Sequence, residues 1–109
     1  MTKHQSFPDE AAKIRRWTRK PNPNITFGYR YQDGTTHSLQ EMDADDIDFN
    51  DLLFVLKNCT VTDLRLEKGE CRYQAEGRNI DGKALVFIVN LYDENEEIEI
   101  VTAWAKDRR

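Results

Sequence analysis

The sequence has no long apolar run and few cysteines and histidines, which are the usual ligands of zinc. Its longest apolar run, Ala84 to Val89, is far shorter than the roughly 18 residues that a membrane-spanning helix needs. The N-terminal stretch MTKHQSFPDEAAK lacks the apolar segment of a secretory signal peptide. We therefore expect a small soluble protein with a cytoplasmic location and no membrane contact.

Cysteine and histidine number only two each. Cys59 and Cys71 form no CxxC pair and have no histidine pair near them, so the usual ligand spacing of a zinc site is missing. In a reducing compartment we expect both thiols to be small, partly buried groups. A hairpin between them would bring them close enough for a disulfide, and the sequence leaves that pairing open. Gly-rich phosphate loops are also missing, so we expect no cofactor.

Charge is distributed unevenly along the chain. Residues 1–30 carry seven Lys or Arg and two Asp or Glu, whereas residues 31–54 carry seven acids and no Lys or Arg. A basic arm followed by an acidic segment favours either self-association or a divided surface for a partner. The net charge of −4 disfavours non-specific binding to nucleic acid, which depends on neutralising phosphates.

The spacing of apolar residues predicts a first helix from Pro8 or Asp9 to about Arg19. Ile14 and Trp17 lie on its apolar face at i, i+3 spacing. Three arginines point elsewhere and form either a solvated surface or a phosphate-contacting patch: Arg15, Arg16 and Arg19.

The acidic segment predicts two short helices within residues 36–58. Thr35 or Thr36 caps a helix that begins at His37, and Asp46 or Asp48 caps the next one. The aspartates do not match an EF-hand, because the loop lacks the required glycine and the final glutamate. We interpret them mainly as helix-capping charges, and partner recognition is the main alternative.

From Cys59 onward the hydrophobic pattern changes to period two. Four strand segments follow one another with short turns between them, and the most apolar of them, ALVFIVNLY, is expected at the centre. Residues 25–31 fit a short strand or an extended arm. The expected fold is α+β, with N-terminal helices packed on a four-stranded antiparallel β-meander. One domain covers residues 1–109, with a basic helical arm (1–24), an acidic helix pair (36–58) and the sheet (59–104).

Several short motifs together resemble a known bacterial family. HSLQEMDADDI, DLLFVLKNC, the strand around ECRYQAEG and the terminal IEIVTAW are similar to the domain of unknown function 4258, over about 70 residues. The matching positions are His37, Met42, Ile47, Val55, Leu56, Arg72, Tyr73, Gly82, Thr102 and Trp104. At Asp45 this chain has an acid where the family has an arginine.

The resemblance implies a layout similar to RelE-like and BrnT-like toxins. It implies a metal-independent endoribonuclease that an antitoxin controls. In that reading His37 is the general base, since its ordinary pKa lies near neutrality. Arg72 and Arg78 contact phosphate, while Tyr73, Trp104 and Thr102 bind the RNA.

Each of these residues also has a structural interpretation. The sheet arginines would then pair with strand acids such as Glu67, Glu70 or Glu99, and the aromatic residues would belong to the core. The competing hypothesis is a non-catalytic protein-binding module or a homodimer, which associates through the acidic helix pair and the basic arm.

Overall fold

A computed structural model describes residues 7–28, 36–67 and 69–106. Its helices are α1 (Pro8–Thr18), α2 (His37–Ala44) and α3 (Phe49–Asn58). Its strands are β1 (Asn24–Phe27), β2 (Thr60–Glu67), β3 (Glu70–Arg78), β4 (Ala84–Tyr92) and β5 (Glu97–Ala105). The predicted α+β class is confirmed. The predicted extended segment 25–31 is a strand as far as Phe27, and its last three residues, like Thr35, lie outside the described residues.

The sheet has five strands rather than the predicted four. Their order is β1-β5-β4-β3-β2, and β1 lies parallel to β5 while the other neighbours are antiparallel. The prediction of a purely antiparallel meander was therefore wrong at this edge. No turn joins β1 to β5, because residues 28–96 lie between them, so no local sequence pattern marks this pairing.

Strand β4 is central, as its apolar sequence predicted. Its neighbours β3 and β5 bond to it on both sides. Leu85, Phe87 and Val89 point into the core under the helices, while Val86 and Ile88 alternate to the other face. All five side chains are at most 4% exposed. A strand that is buried on both faces has a continuous run of apolar residues, and β4 has such a run from Ala84 to Val89.

Helices α1 and α3 cover one face of the sheet together. Ile14 and Trp17 of α1 and Leu52 and Leu56 of α3 are all at most 3% exposed and belong to the same core cluster. The apolar faces of the two helices therefore meet the sheet as the helical spacing predicts.

Helix α3 approaches β3 closely at Gly77. A Cβ atom at this glycine would lie 3.2 Å from Val55 Cγ1, so the Val55 side chain would have to shift by a few tenths of an ångström to admit a larger residue.

The start of α3 is fixed by a reciprocal capping arrangement. The Asp51 N–H donates to Asp48 Oδ1 at 2.8 Å, and the Asp48 N–H donates to Asp51 Oδ2 at 3.1 Å. This satisfies helix donors that have no partner within the helix. Of the two predicted caps, Asp48 is the one used.

None of the helices in the described ranges is both long and apolar enough to cross a membrane.

Replacing Asp48 by alanine tests the role of the acids as helix caps. We expect Asp48→Ala to lower the free energy of unfolding by about 1 kcal/mol, because one orphan N–H loses its acceptor. Asp43→Ala is the matched control, since Asp43 is an exposed acid of the same segment that caps nothing, and we expect a change within about 0.5 kcal/mol. Urea denaturation measures both, and equal effects of the two substitutions would contradict the capping role.

Candidate functional site

The three predicted catalytic residues lie on separate parts of the fold. His37 is the first residue of α2 and is half-buried. Arg72 and Arg78 both lie on β3, and six residues of extended strand separate their Cα atoms by about 20 Å. One phosphate is too small to contact two arginines at that separation, so the pair does not form a phosphate clamp.

Arg72 belongs to a network of acids on the face of the sheet away from the helices. Its Nη1 lies 2.9 Å from Glu67 Oε1 and its Nη2 lies 3.3 Å from Glu70 Oε1. Its side chain is only 11% exposed. Asn90 extends the network, because its Nδ2 donates to both Glu70 and Glu99. The alternative prediction, that this arginine pairs with strand acids, is confirmed.

Arg78 has a local structural contact. Its Nη1 donates to the Gly82 carbonyl oxygen at 2.7 Å, across the turn that joins β3 to β4. Gly82 has a φ of 83°, a conformation that suits glycine, and the short turn predicted between these two strand segments is confirmed. The guanidinium therefore stabilises the turn, and its side chain is exposed at the end of the sheet.

Tyr73 faces the helices rather than the predicted RNA. Its ring meets Phe7 edge-on, with 6.2 Å between the ring centroids. Burial raises the pKa of the Tyr73 phenol, and the nearby Glu10 carboxylate raises it further. The ring is packed at the border of the core, as the structural interpretation of this aromatic predicted.

Thr102 and Trp104 lie on the opposite face from Tyr73. The register places Thr102 beside Ile88 and Trp104 beside Val86 on the sheet face that α1 and α3 leave. Both side chains are half-buried. The structure thus brings Thr102 and Trp104 together and separates them from Tyr73, so one base cannot stack on both aromatic rings.

Two arginines of the predicted phosphate patch hold the end of α3 instead. Arg15 Nη1 donates to the Cys59 carbonyl oxygen and Arg19 Nη2 donates to the Lys57 carbonyl oxygen, each at 2.7 Å. The last carbonyls of a helix lack partners and carry partial negative charge, so cations are favourable there. The described part of the basic arm therefore contacts the end of α3 through these two side chains.

Asp45, at the position where the similar family has arginine, stabilises the edge of β5. Its Oδ2 accepts a hydrogen bond from the Ala105 N–H at 2.8 Å, and its backbone oxygen accepts one from Lys83 Nζ at 3.0 Å. Strand β1 pairs with β5 only as far as Ile100, so this part of the edge needs another partner. The acid provides one.

Most of the remaining acids line an open cleft of about 370 Å³. Its aspartates are Asp43, Asp46, Asp48, Asp51 and Asp81. Across the described ranges, no group of three or more Asp, Glu, His or Cys side chains is arranged to hold a metal ion. The cleft is an acidic surface at the junction of α2, α3 and the turn after β3.

A different surface, which the sequence reasoning missed, lies at the end of the β2–β3 hairpin. Leu64 and Leu66 are 36% and 75% exposed, and they pair with Tyr73 and Cys71 across the hairpin. We call Leu64, Leu66 and Cys71 the hairpin edge. The three side chains share the face on which the helices pack, yet the described helices leave them exposed. The pattern Leu-Arg-Leu in an edge strand was the sequence signal that could have predicted this exposed surface.

The backbone of β2 is open along most of its outer side. At one end the Phe7 N–H donates to the Val61 carbonyl oxygen at 3.2 Å. Beyond a bulge between Val61 and Asp63, the Leu64 N–H donates to Asp63 Oδ1 at 2.8 Å. Apart from these contacts, β3 is the only strand that pairs with β2 in the described part of the chain.

The two cysteines are both free, so the possible disulfide is not formed. Cys59 is fully buried, and desolvation raises the pKa of its thiol to about 11. Cys71 is exposed on the hairpin edge.

Thiol labelling tests the exposure of the hairpin edge. At pH 8 we expect iodoacetamide to modify Cys71 rapidly and Cys59 at least about 100-fold more slowly, because the buried thiol is rarely ionised. Mass spectrometry of the intact protein and its peptides measures the two rates. Cys71→Ser is the control and should leave the native protein almost unlabelled until denaturant is added. Fast labelling of Cys59 in the native protein would contradict this assignment.

Comparison of the chain with protein-family models, with curated proteins and with solved structures finds no match. The resemblance to the domain of unknown function 4258 therefore stays a prediction that rests on the motifs quoted above.

Proposed function

We propose that the protein is a non-catalytic protein-binding module and that the hairpin edge is its contact surface. The observation that carries this proposal is the 75% exposure of Leu66 beside Leu64 on an edge strand. An exposed apolar row on an open strand edge is unfavourable in isolation, and a partner strand relieves both the apolar exposure and the unpaired backbone.

Strand addition explains how the surface would bind. The backbone of residues 62–67 offers hydrogen bonds to an extended segment, and the leucine side chains favour apolar residues at alternate positions. Full burial of a leucine side chain contributes about 1.5–3 kcal/mol. Two leucines together with new ladder hydrogen bonds are therefore enough for a moderate affinity.

The acidic helix pair supports binding in a second way. Four of its aspartates line the cleft beside Asp81 and Lys83 and form no ion pair within the described residues, so the cleft has a net negative charge. That charge favours a partner with basic residues. The basic arm supports binding less, because Arg15 and Arg19 are engaged with α3.

The toxin hypothesis remains a competing proposal with less support. An endoribonuclease must stabilise an anionic transition state, normally with free Arg or Lys side chains. Arg72 is held by two glutamates and Arg78 by the β3–β4 turn, at the other end of the strand. An antitoxin partner would follow only if this hypothesis held.

The exposed leucine of β2 provides the direct test of the binding proposal. We expect the wild-type protein to select, from a random peptide library, extended peptides with alternating apolar residues. Leu66→Lys should weaken their binding by about tenfold or more, since it removes the apolar contact and adds a charge. Ile80→Lys is the matched control, because Ile80 is 79% exposed but lies in the turn at the opposite end of β3. Fluorescence anisotropy measures the affinities.

The binding proposal fails if no selected peptide depends on Leu66, or if Leu66→Lys and Ile80→Lys reduce binding equally. Circular dichroism of both variants checks that each one keeps its fold.

Induced expression in bacteria tests the competing hypothesis. We expect cells that produce the wild type to grow as well as cells that produce the His37→Ala, Arg72→Ala double variant. A strain without candidate antitoxin genes is used, so that inhibition cannot be masked. Growth arrest by the wild type that the double variant does not cause would establish the toxin hypothesis and refute ours.

A further inference from the structure

We propose that the strand recognised by β2 is β2 of a second copy of this chain. The two strands pair antiparallel about a twofold axis, with Leu64 opposite Leu64 of the second copy. This inference rests on the proposed binding function of the hairpin edge, and it names the partner and the register.

The open part of the edge limits where such a pair is centred. At one end of the edge the Phe7 N–H already donates to the Val61 carbonyl oxygen, and at the other end the hairpin turn follows Glu67. The middle of the remaining stretch, residues 62–67, lies between Leu64 and Arg65, so an axis at either residue fits it. A twofold axis at Leu64 lets residues 62–66 of each copy pair without disturbing the Phe7 contact.

Charge on the far face of the sheet selects the register centred on Leu64. With Leu64 on the axis, Asp63 lies opposite Arg65 of the second copy, and the twofold axis repeats that pair. Side chains directly opposite in an antiparallel pair are close enough to interact, and opposite charges there are favourable. The side chains of Asp63 and Arg65 are 54% and 48% exposed, so both are accessible to a second copy.

The neighbouring register places like charges together. If Arg65 lay on the axis, it would face Arg65 of the second copy, and Asp63 would face Glu67 twice. Like charges directly opposite one another are destabilising. Only even shifts keep the leucines on one face, so the two nearest competing registers are centred on Arg65 and on Asp63. The second places Asp63 opposite Asp63 of the second copy, which is also a like-charge pair.

The existing contacts of Asp63 are weak enough to exchange. Within one chain, Asp63 Oδ2 lies 3.8 Å from Arg65 Nε, and both groups are solvated. Exposed ion pairs of this kind contribute little. In the dimer, the Leu64 N–H turns from the Asp63 carboxylate to the Leu64 carbonyl oxygen of the second copy. The Asp63 carboxylate is then available for Arg65 of that copy, and the two sheets join into one of ten strands.

Reversing the charge at Asp63 or at Arg65, and then mixing the two variants, tests this register. Recovery of dimerisation in the mixture could not result from a folding defect in either variant. Sedimentation velocity over a concentration series up to about 1 mM measures the dimer affinity of the full chain. We expect Asp63→Lys and Arg65→Glu each to weaken the homodimer by about tenfold or more, because each creates two like-charge pairs. An equimolar mixture of the two variants should dimerise as well as the wild type. In that heterodimer, each introduced charge meets an opposite one.

The control variant is Glu94→Lys, which changes the net charge as Asp63→Lys does at an exposed position in the turn between β4 and β5. It should leave the dimer affinity unchanged. Thermal unfolding of each variant verifies that the monomer is intact.

A wild type that stays monomeric throughout the series overturns this inference, as does a dimer that neither charge variant weakens. Stronger dimerisation of Asp63→Lys would assign the register centred on Arg65 and overturn ours. A monomeric wild type that still binds selected peptides through Leu66 refutes the second copy as partner and leaves the binding function standing. Loss of both refutes the two together.

Discussion

The fold depends on the pairing of β4 with a neighbour on each side while both of its faces are buried. Its side chains from Leu85 to Val89 are at most 4% exposed. Because α1 and α3 cover only one face, the other face is shielded mainly by long side chains of adjacent strands. Trp104 lies beside Val86, and the Arg72 network lies beyond Asn90. The side chains on that face therefore shield β4 from water. Arg72 is little exposed because it lies among them.

Charged residues in this chain mostly satisfy backbone groups that the fold leaves without partners. Asp48 and Asp51 cap the start of α3, and Arg15 and Arg19 hold its end. Asp45 pairs with the edge of β5 where β1 stops. Backbone groups in such places cost free energy when they are unpaired and buried. The charged side chains of a segment can therefore all bond within the fold. The net charge of a segment alone does not predict a binding surface.

The elements that the sequence predicted well are those set by local patterns. The four period-two segments after Cys59 are strands β2 to β5, because alternation and turn residues act within a few positions. The parallel pairing of β1 with β5 was missed, since its partners are more than 70 residues apart.

In the candidate site, too, local patterns predicted well and contacts between distant segments did not. Arg72 and its acids were predictable from cross-strand spacing, whereas the separation of Arg72 from Tyr73 follows from the alternation of faces along one strand. Alternation was readable in the sequence, so residues 72 and 73 could have been assigned to opposite faces. Which face the helices would cover, and that they would stop short of Leu66, depends on how α1 and α3 pack and has no local signal.

The hairpin edge has features that prevent random strand pairing and features that favour pairing with one particular strand. A bulge after Val61 and a carboxylate on the Leu64 N–H are features that keep edge strands from pairing at random. Neither feature removes the apolar side chains of Leu64 and Leu66, which would be costly to keep on a strand with no partner. Alternating charges on the opposite face make the register centred on Arg65 unfavourable while leaving one in which Asp63 and Arg65 both meet an opposite charge. An edge of this kind discourages indiscriminate pairing and still admits one strand of complementary sequence, and β2 is complementary to itself.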